Sequence, residues 1–218
     1  MTQLIPNRLL VAVEIRLNHR SKLPRLTGKL TDWSDEFLLP NLCEMDGQEP
    51  FAKVYACWND EGIAFACKVQ CPDKKFRCDP ASFWKGDNLR ICTDMRDTRD
   101  IHRATRYCQQ FFVLPTGGGK MRSEAIGGSS PIHRAKENAS PIKAGMIPVA
   151  ANITKRGYSI EAILPASLLS GFDPAEHPRI GFYYMLEDLA LGQQYLTVGD
   201  DLYWHVDPSM WATAVLAR

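Results

Sequence analysis

The chain has 218 residues, 45% hydrophobic and 23% charged, the composition of an ordinary globular protein, which excludes wholesale disorder. A formal net charge of +1 leaves no basic excess for a phosphate backbone, so nucleic acid is excluded as the expected partner. No window approaches the ~20 consecutive apolar residues of a membrane-crossing helix, and the length suits one domain burying roughly 70% of its unfolded surface.

The first stretch, MTQLIPNRLLVAVEIRLNHR, lacks the apolar run of a signal peptide, because Leu9 to Val13 is broken at Glu14. As written it predicts a cytoplasmic protein; a chain trimmed of a leader would read the same and leave secretion open. Arg8 to Leu17 alternates with period two and predicts the first strand, with Val13, Ile15 and Leu17 on one side and Glu14 and Arg16 on the other. FAKVYACWNDEGIAFACKVQ predicts a hairpin: Phe51 to Trp58 and Ile63 to Gln70 flank the turn residues Asn59, Asp60, Glu61 and Gly62.

Asp87 to Met95 places Leu89, Ile91, Thr93 and Met95 on one face and Asn88, Arg90, Cys92 and Asp94 on the other, where solvent or a ligand could meet them. Arg106 to Leu114 predicts another strand, closed by Pro115. From about 116 to 144 the composition shifts to Gly, Ser, Pro and charge, and a long excursion loop is expected. MIPVAANITKRGYSIEAILP predicts a second hairpin turning at Lys155, Arg156 and Gly157. Pro165 to Leu169 suggests one helical turn, and Arg179 to Leu186 and Trp211 to Leu216 supply closing strands. Many short strands, very little helix and no βαβ alternation predict a single all-β domain over residues 1–218: an antiparallel, jelly-roll-like two-sheet β-sandwich.

Cysteine number is odd, at seven, and Cys57, Cys67, Cys92 and Cys108 fall inside predicted strands, so reduced packing residues are expected. Cys67, Cys71 and Cys78 lack the paired CxxC spacing of a zinc site. Gly117-Gly118-Gly119-Lys120 is not a phosphate loop, because Leu114 stands where the first glycine belongs and Met121 where Ser or Thr belongs. Five scattered histidines and the lack of HExxH or GxSxG support no zinc protease and no hydrolase elbow, so no enzyme is expected. Asp94, Asp97 and Asp100, at three-residue spacing, are candidate oxygen ligands for calcium, though Arg96 and Arg99 between them would partly neutralise such a site. No other cofactor is implied.

Taken in order, Gly28-Lys-Leu-Thr-Asp-Trp33, the AKVYACWNDEGIAFACKV hairpin, FWKGDNLRICTD, CQQFFVLPTGG, RGYSIEAILPASLL, IGFYYMLED, and Trp204 followed by WATAVL resemble the family 9 carbohydrate-binding modules and their wider DOMON-like relatives. The resemblance rests on order and spacing rather than on any single motif, so it speaks more strongly for fold than for function. It implies a sandwich whose saccharide ligand lies between two tryptophans, an indole face covering the C–H face of a pyranose ring while polar side chains bond its hydroxyls. Matched by position, Trp84 is the first wall and Trp204 the second, whereas Trp33, Trp58 and Trp211 match scaffold positions.

Arg90 departs from this pattern. Six residues after the first tryptophan the sugar-binding modules typically carry an acid, and an arginine donates hydrogen bonds where a carboxylate accepts them. If the next strand pairs in the family's register, Arg106 and Gln110 join Arg90, and that face would suit an acidic sugar. Two alternatives remain open at this point. One is a DOMON-like haem-binding or redox-partner domain with axial ligands drawn from Met185, Met210 or His205. The other is a protein-interaction sandwich that has lost its sugar groove.

Overall fold

The computed structural model describes residues 12–218, so the first predicted strand is seen from Glu14 onward, and Arg8 to Val11 lie outside the described residues. Eleven strands are formed among those residues: β1 (Glu14–His19), β2 (Ala52–Asn59), β3 (Gly62–Gln70), β4 (Asn88–Asp94), β5 (Cys108–Gly118), β6 (Glu124–Ser130), β7 (Val149–Thr154), β8 (Gly157–Pro165), β9 (Arg179–Asp188), β10 (Gly192–Tyr195) and β11 (Ala212–Ala217). Helix among the described residues is confined to short 3-10 turns, including Pro80–Lys85 and Ala166–Leu168.

Turn chemistry places the β2–β3 hairpin where the sequence puts it. Asn59 Oδ1 accepts the Glu61 amide at 2.9 Å, closing the turn. Gly62 adopts φ +146°, and a Cβ there would sit 2.2 Å from the Leu164 carbonyl oxygen, so only glycine lets β3 begin this close to β8. The strands run in the order β6-β5-β4-β9-β11-β1-β2-β3-β8-β7, with β10 on the far part of β9. This nearly closed sheet folds into two facing layers, a two-sheet β-sandwich. Phe65 of β3 and Phe182 of β9 stack across the interior, centroids 5.7 Å apart and planes 3° from parallel. Ile15 and Leu17 turn inward from β1, as their alternation predicts.

Two pairings depart from the antiparallel expectation: β1 lies parallel to both β11 and β2. No hairpin ties β1 to a neighbour, so its direction is free, and it fills the gap between the two layers. Strand β5 starts at Cys108 rather than Arg106 and continues through Pro115 to Gly118. The excursion loop expected over 116–144 is corrected in the same way, because β6 occupies Glu124–Ser130 and pairs with β5. Its glycines are packing residues: a Cβ on Gly128 would lie 2.7 Å from the Phe112 ring, and one on Gly127 2.9 Å from Val149.

Two buried polar clusters fix the connections. Glu161 of β8, fully buried, accepts the backbone amides of Thr27 and Gly28 and the indole N–H of Trp33 at 3.0 Å, which docks the Gly28-to-Trp33 segment on the sheet. At the opposite side Lys74 Nζ lies 2.6 Å from Asp87 and 2.7 Å from Asp188. The amides of Arg77 and Leu189 bond Asp87, and the Ala190 amide and Tyr158 hydroxyl bond Asp188. Burial pushes the Lys74 ammonium toward neutrality, but its hydrogen bonds to Asp188 and Asp87 outweigh this and raise its pKa. Burial holds the Cys57, Cys67 and Cys108 thiols up at about 12, which fits packing residues rather than nucleophiles.

Candidate functional site

The site begins in the 3-10 turn Pro80–Lys85. Proline leads it, and the Asp79 side chain caps it by accepting the Ala81 amide at 3.2 Å and the Ser82 hydroxyl at 3.1 Å. Arg122, from the β5–β6 turn, pairs with Asp79 at 2.7 Å. Phe83 faces inward and stacks on Phe112 of β5 with centroids 4.4 Å apart, and its ring meets Trp84 edge to face at 5.4 Å. Asn88 of β4 reaches back to donate to the carbonyls of Phe83 and Gly86 at 3.0 and 2.7 Å. Trp84 is thereby held from behind while 52% of it stays exposed, an unusual placement for the largest apolar side chain.

Beside Trp84 the sheet carries Arg90 on β4 and Gln110 on β5, and with Ser130, His133, Asp200 and His205 they line a cleft of about 720 Å³. Arg90 is 6% exposed. Its guanidinium lies 4.9 Å over the Trp204 ring and donates to Met185 sulfur at 2.9 Å and Glu187 at 3.3 Å, while its Nε has no partner among the described residues. Burial raises the pKa of the Glu187 carboxyl, against the opposing effects of its Gln193 bond and the Arg90 charge. Burial lowers the His205 imidazole below the usual histidine range; Asp200 opposes the shift, and Arg90 and His133 add to it. Gln110 accepts the Ser130 hydroxyl at 3.3 Å, and its amide donors remain for a ligand.

Two of the expected site residues are not where the resemblance puts them. Trp204 is fully buried: its ring stacks on Tyr183 at 4.6 Å, its N–H bonds Asp200 at 2.9 Å, and its carbonyl accepts the Trp211 N–H at 2.8 Å. It supports Arg90 from below and is not a wall of the cleft. Arg106 precedes β5, is exposed, and packs on the Tyr107 ring. Arg90 stands opposite Phe112 in the register, so Arg106 is six residues farther along, about 20 Å at the rise of a strand. The structure brings together Trp84, Arg90 and Gln110 and leaves Trp204 and Arg106 out.

The calcium expectation is also corrected. Asp94 is buried and accepts the Arg96 and Thr98 amides at 3.1 and 2.8 Å. Asp97 accepts the Thr213 hydroxyl at 2.9 Å and pairs with Arg99 and Arg179, and Asp100 is exposed. Among the described residues no three metal-ligating side chains converge. The haem alternative fares no better, since Met185 is fully buried with its sulfur occupied by Arg90. A Ser209, His102 and Asp207 trio exists, but both partners approach His102 Nδ1, at 3.2 and 3.0 Å, whereas a nucleophile relay needs serine and aspartate on opposite ring nitrogens.

Sequence reasoning missed Phe83, Ser130, His133 and Asp200, and it met His205 only as a haem ligand. Phe83 is the sequence neighbour of Trp84, whereas Ser130, His133, Asp200 and His205 come from distant segments that no local spacing ties to Trp84.

Neither a protein-family model nor a curated protein sequence matches the chain. Solved structures do share its fold. A family 9 carbohydrate-binding module from Caldicellulosiruptor kristjanssonii in complex with cellotriose superposes with a TM-score of 0.62 at 14% identity, over 94% of each chain. The same module in complex with glucose gives a TM-score of 0.62 and 14% identity over 94% of this chain and 97% of that one. A Bacteroides uniformis protein described as a candidate carbohydrate-binding protein gives 0.55 at 9% identity, over 94% and 99%. The chain is thus similar in fold, over nearly its whole length, to family 9 carbohydrate-binding modules.

Proposed function

We propose that this protein is a non-catalytic saccharide-binding module, and that the cleft beside Trp84 takes an acidic sugar. The observation that carries the reading is the exposed Trp84 indole, backed by Phe83 and Phe112, at the edge of a polar cleft whose buried cation is Arg90. An indole face suits the C–H face of a pyranose ring, Arg90 donates to a carboxylate, and Gln110 and Asp200 bond hydroxyls. Saccharide binding in the structural neighbours with cellotriose and glucose supports the general class. The Ser130 hydroxyl in the cleft donates to Gln110 rather than to His133 or His205, which favours binding over chemistry.

Charge sets the expected pH dependence. At neutral pH Arg90 is opposed by Glu187 and Asp200; lowering the pH adds protons to His205, which burial holds below the usual histidine range, and to Glu187, which burial holds above the usual carboxylate range, and both make the cleft more positive. A sugar carboxylate, with a pKa near 3.3–3.7 like an α-carboxyl, stays ionised throughout. Affinity for galacturonate or glucuronate, measured by titration calorimetry, should therefore be higher at about pH 5.5 than at about pH 7.5. Arg90→Gln should lose about tenfold toward the acidic sugar and little toward the neutral one. Equal affinity for acidic and neutral sugars at both pH values would reject the acidic ligand.

A further inference from the structure

Next to the Trp84 cleft lies a second depression, of about 160 Å³, bounded by the start of β5, the end of β6 and the segment Asn138 to Pro141. The two share Gln110, Ser130 and Pro131 in their walls, so they form one continuous trough. Its character changes along its length. The cleft end has the indole, the guanidinium and two histidines, and the far arm has Ser130, Asn138 and Ser140 with no ionisable group except the buried Cys108 thiol.

The arm is a built feature. The segment after β6 is pinned at both ends, by the Ile132 amide on Asn138 Oδ1 at 2.8 Å and the Ile142 amide on Ser129 Oγ at 2.8 Å, and Ile132 and Ile142 are buried beneath it. Lys136 donates its amide to the Ala104 carbonyl at 2.8 Å. These contacts use Asn138 Oδ1 and the Ser129 hydroxyl. The Asn138 amide nitrogen and the Ser140 hydroxyl are left for a ligand, and both residues are exposed. From Arg90 through Gln110 to Ser130 the trough crosses two strand spacings, about 10 Å, before the arm begins, which is more than one sugar ring occupies.

We infer that the ligand is an oligosaccharide of at least two units, with an acidic unit on Trp84 and Arg90 and a following neutral-faced unit bonded by Ser130, Asn138 and Ser140. This rests on the saccharide reading of the cleft and adds the ligand's length and polarity. Hydrogen bonds to an additional ring, each worth a modest net amount, make affinity grow with chain length on the order of tenfold between monomer and dimer.

The test is calorimetric titration of the intact protein with glucuronate or galacturonate as the monomer, and with the dimer and trimer in which that uronic unit is followed by neutral sugar units. Wild type should bind the dimer and trimer about tenfold tighter than the monomer. Ser140→Ile, whose stiff side chain fills the exposed arm, should remove that gain while the monomer still binds. Equal affinity at every length, or a length gain retained in Ser140→Ile, overturns the two-unit ligand while leaving the cleft reading in place. Failure of every probe to bind overturns the cleft reading itself, and the longer ligand with it.

Discussion

Trp204→Ala is expected to cost about 3–5 kcal/mol of unfolding free energy, whereas Trp84→Ala should stay within about 1 kcal/mol of wild type. The difference follows from placement. Trp204 has no exposed surface, stacks on Tyr183, bonds Asp200 through its N–H and lies under the Arg90 guanidinium, so truncation leaves a large cavity beneath Arg90. Trp84 is 52% exposed, and its neighbours Phe83 and Phe112 keep their own stack without it. Urea unfolding followed by circular dichroism reads both. Equal losses for the two variants would place Trp84 in the core and remove the platform from the site.

The second large effect concerns Lys74. Lys74→Met should destabilise the fold by about 3–5 kcal/mol at pH 7, because it leaves Asp87 and Asp188 as neighbouring buried carboxylates with no cation. The triple variant Lys74→Met with Asp87→Asn and Asp188→Asn should recover part of this loss, since the cost lies in uncompensated charge more than in lost contact. The pH window follows from the shifts. Burial pushes Asp188 upward, but the Lys74 bond and the Ala190 amide outweigh it, so its folded pKa lies below 3.8; its contribution is present above that unfolded value and lost as pH falls through the lowered folded one. Lys74, raised above the ordinary lysine value of 10.5, contributes fully below that value and loses its contribution as pH rises through the higher folded pKa. Between about pH 5 and pH 9 the contribution of the Lys74 pair to wild-type stability should hence be flat. A penalty under about 1 kcal/mol in denaturant melts would show that the ion pair is not structural.

Much of the scaffold was legible because its signals are local. The β2–β3 hairpin announces itself through alternation and the Asn-Asp-Glu-Gly turn, and β4 through the strict period from Leu89 to Met95. Strand β6 was illegible for a physical reason: its Gly-Gly-Ser-Ser run has the composition of a turn, yet the glycines are there because Phe112, Ile147 and Val149 fill the space a side chain would need. The parallel placement of β1 likewise depends on a gap between layers that only the finished sheet creates.

The site shows the same division. Trp84, Arg90 and Gln110 share a cleft as expected, since a tryptophan ahead of Lys-Gly-Asp and an outward strand position are both readable locally. Trp204 was misplaced because its burial depends on Tyr183 in β9, with β10 between them in the chain, and on Asp200, neither marked by spacing. Arg106 was misplaced by extending the β5 register two residues past its true start at Cys108. Asp94 and Asp97 looked like metal ligands because backbone amides and the Thr213 hydroxyl, which use their lone pairs, leave no trace in the sequence.

The most direct test of the saccharide cleft is a calorimetric titration of wild type and Trp84→Ala with the same acidic oligosaccharide at pH 5.5, with both proteins shown folded by circular dichroism. Saturable one-to-one binding by wild type, weakened at least about tenfold in the variant, is the predicted result. Identical isotherms for the two proteins, or no heat from wild type with any acidic or neutral sugar chain, would contradict it.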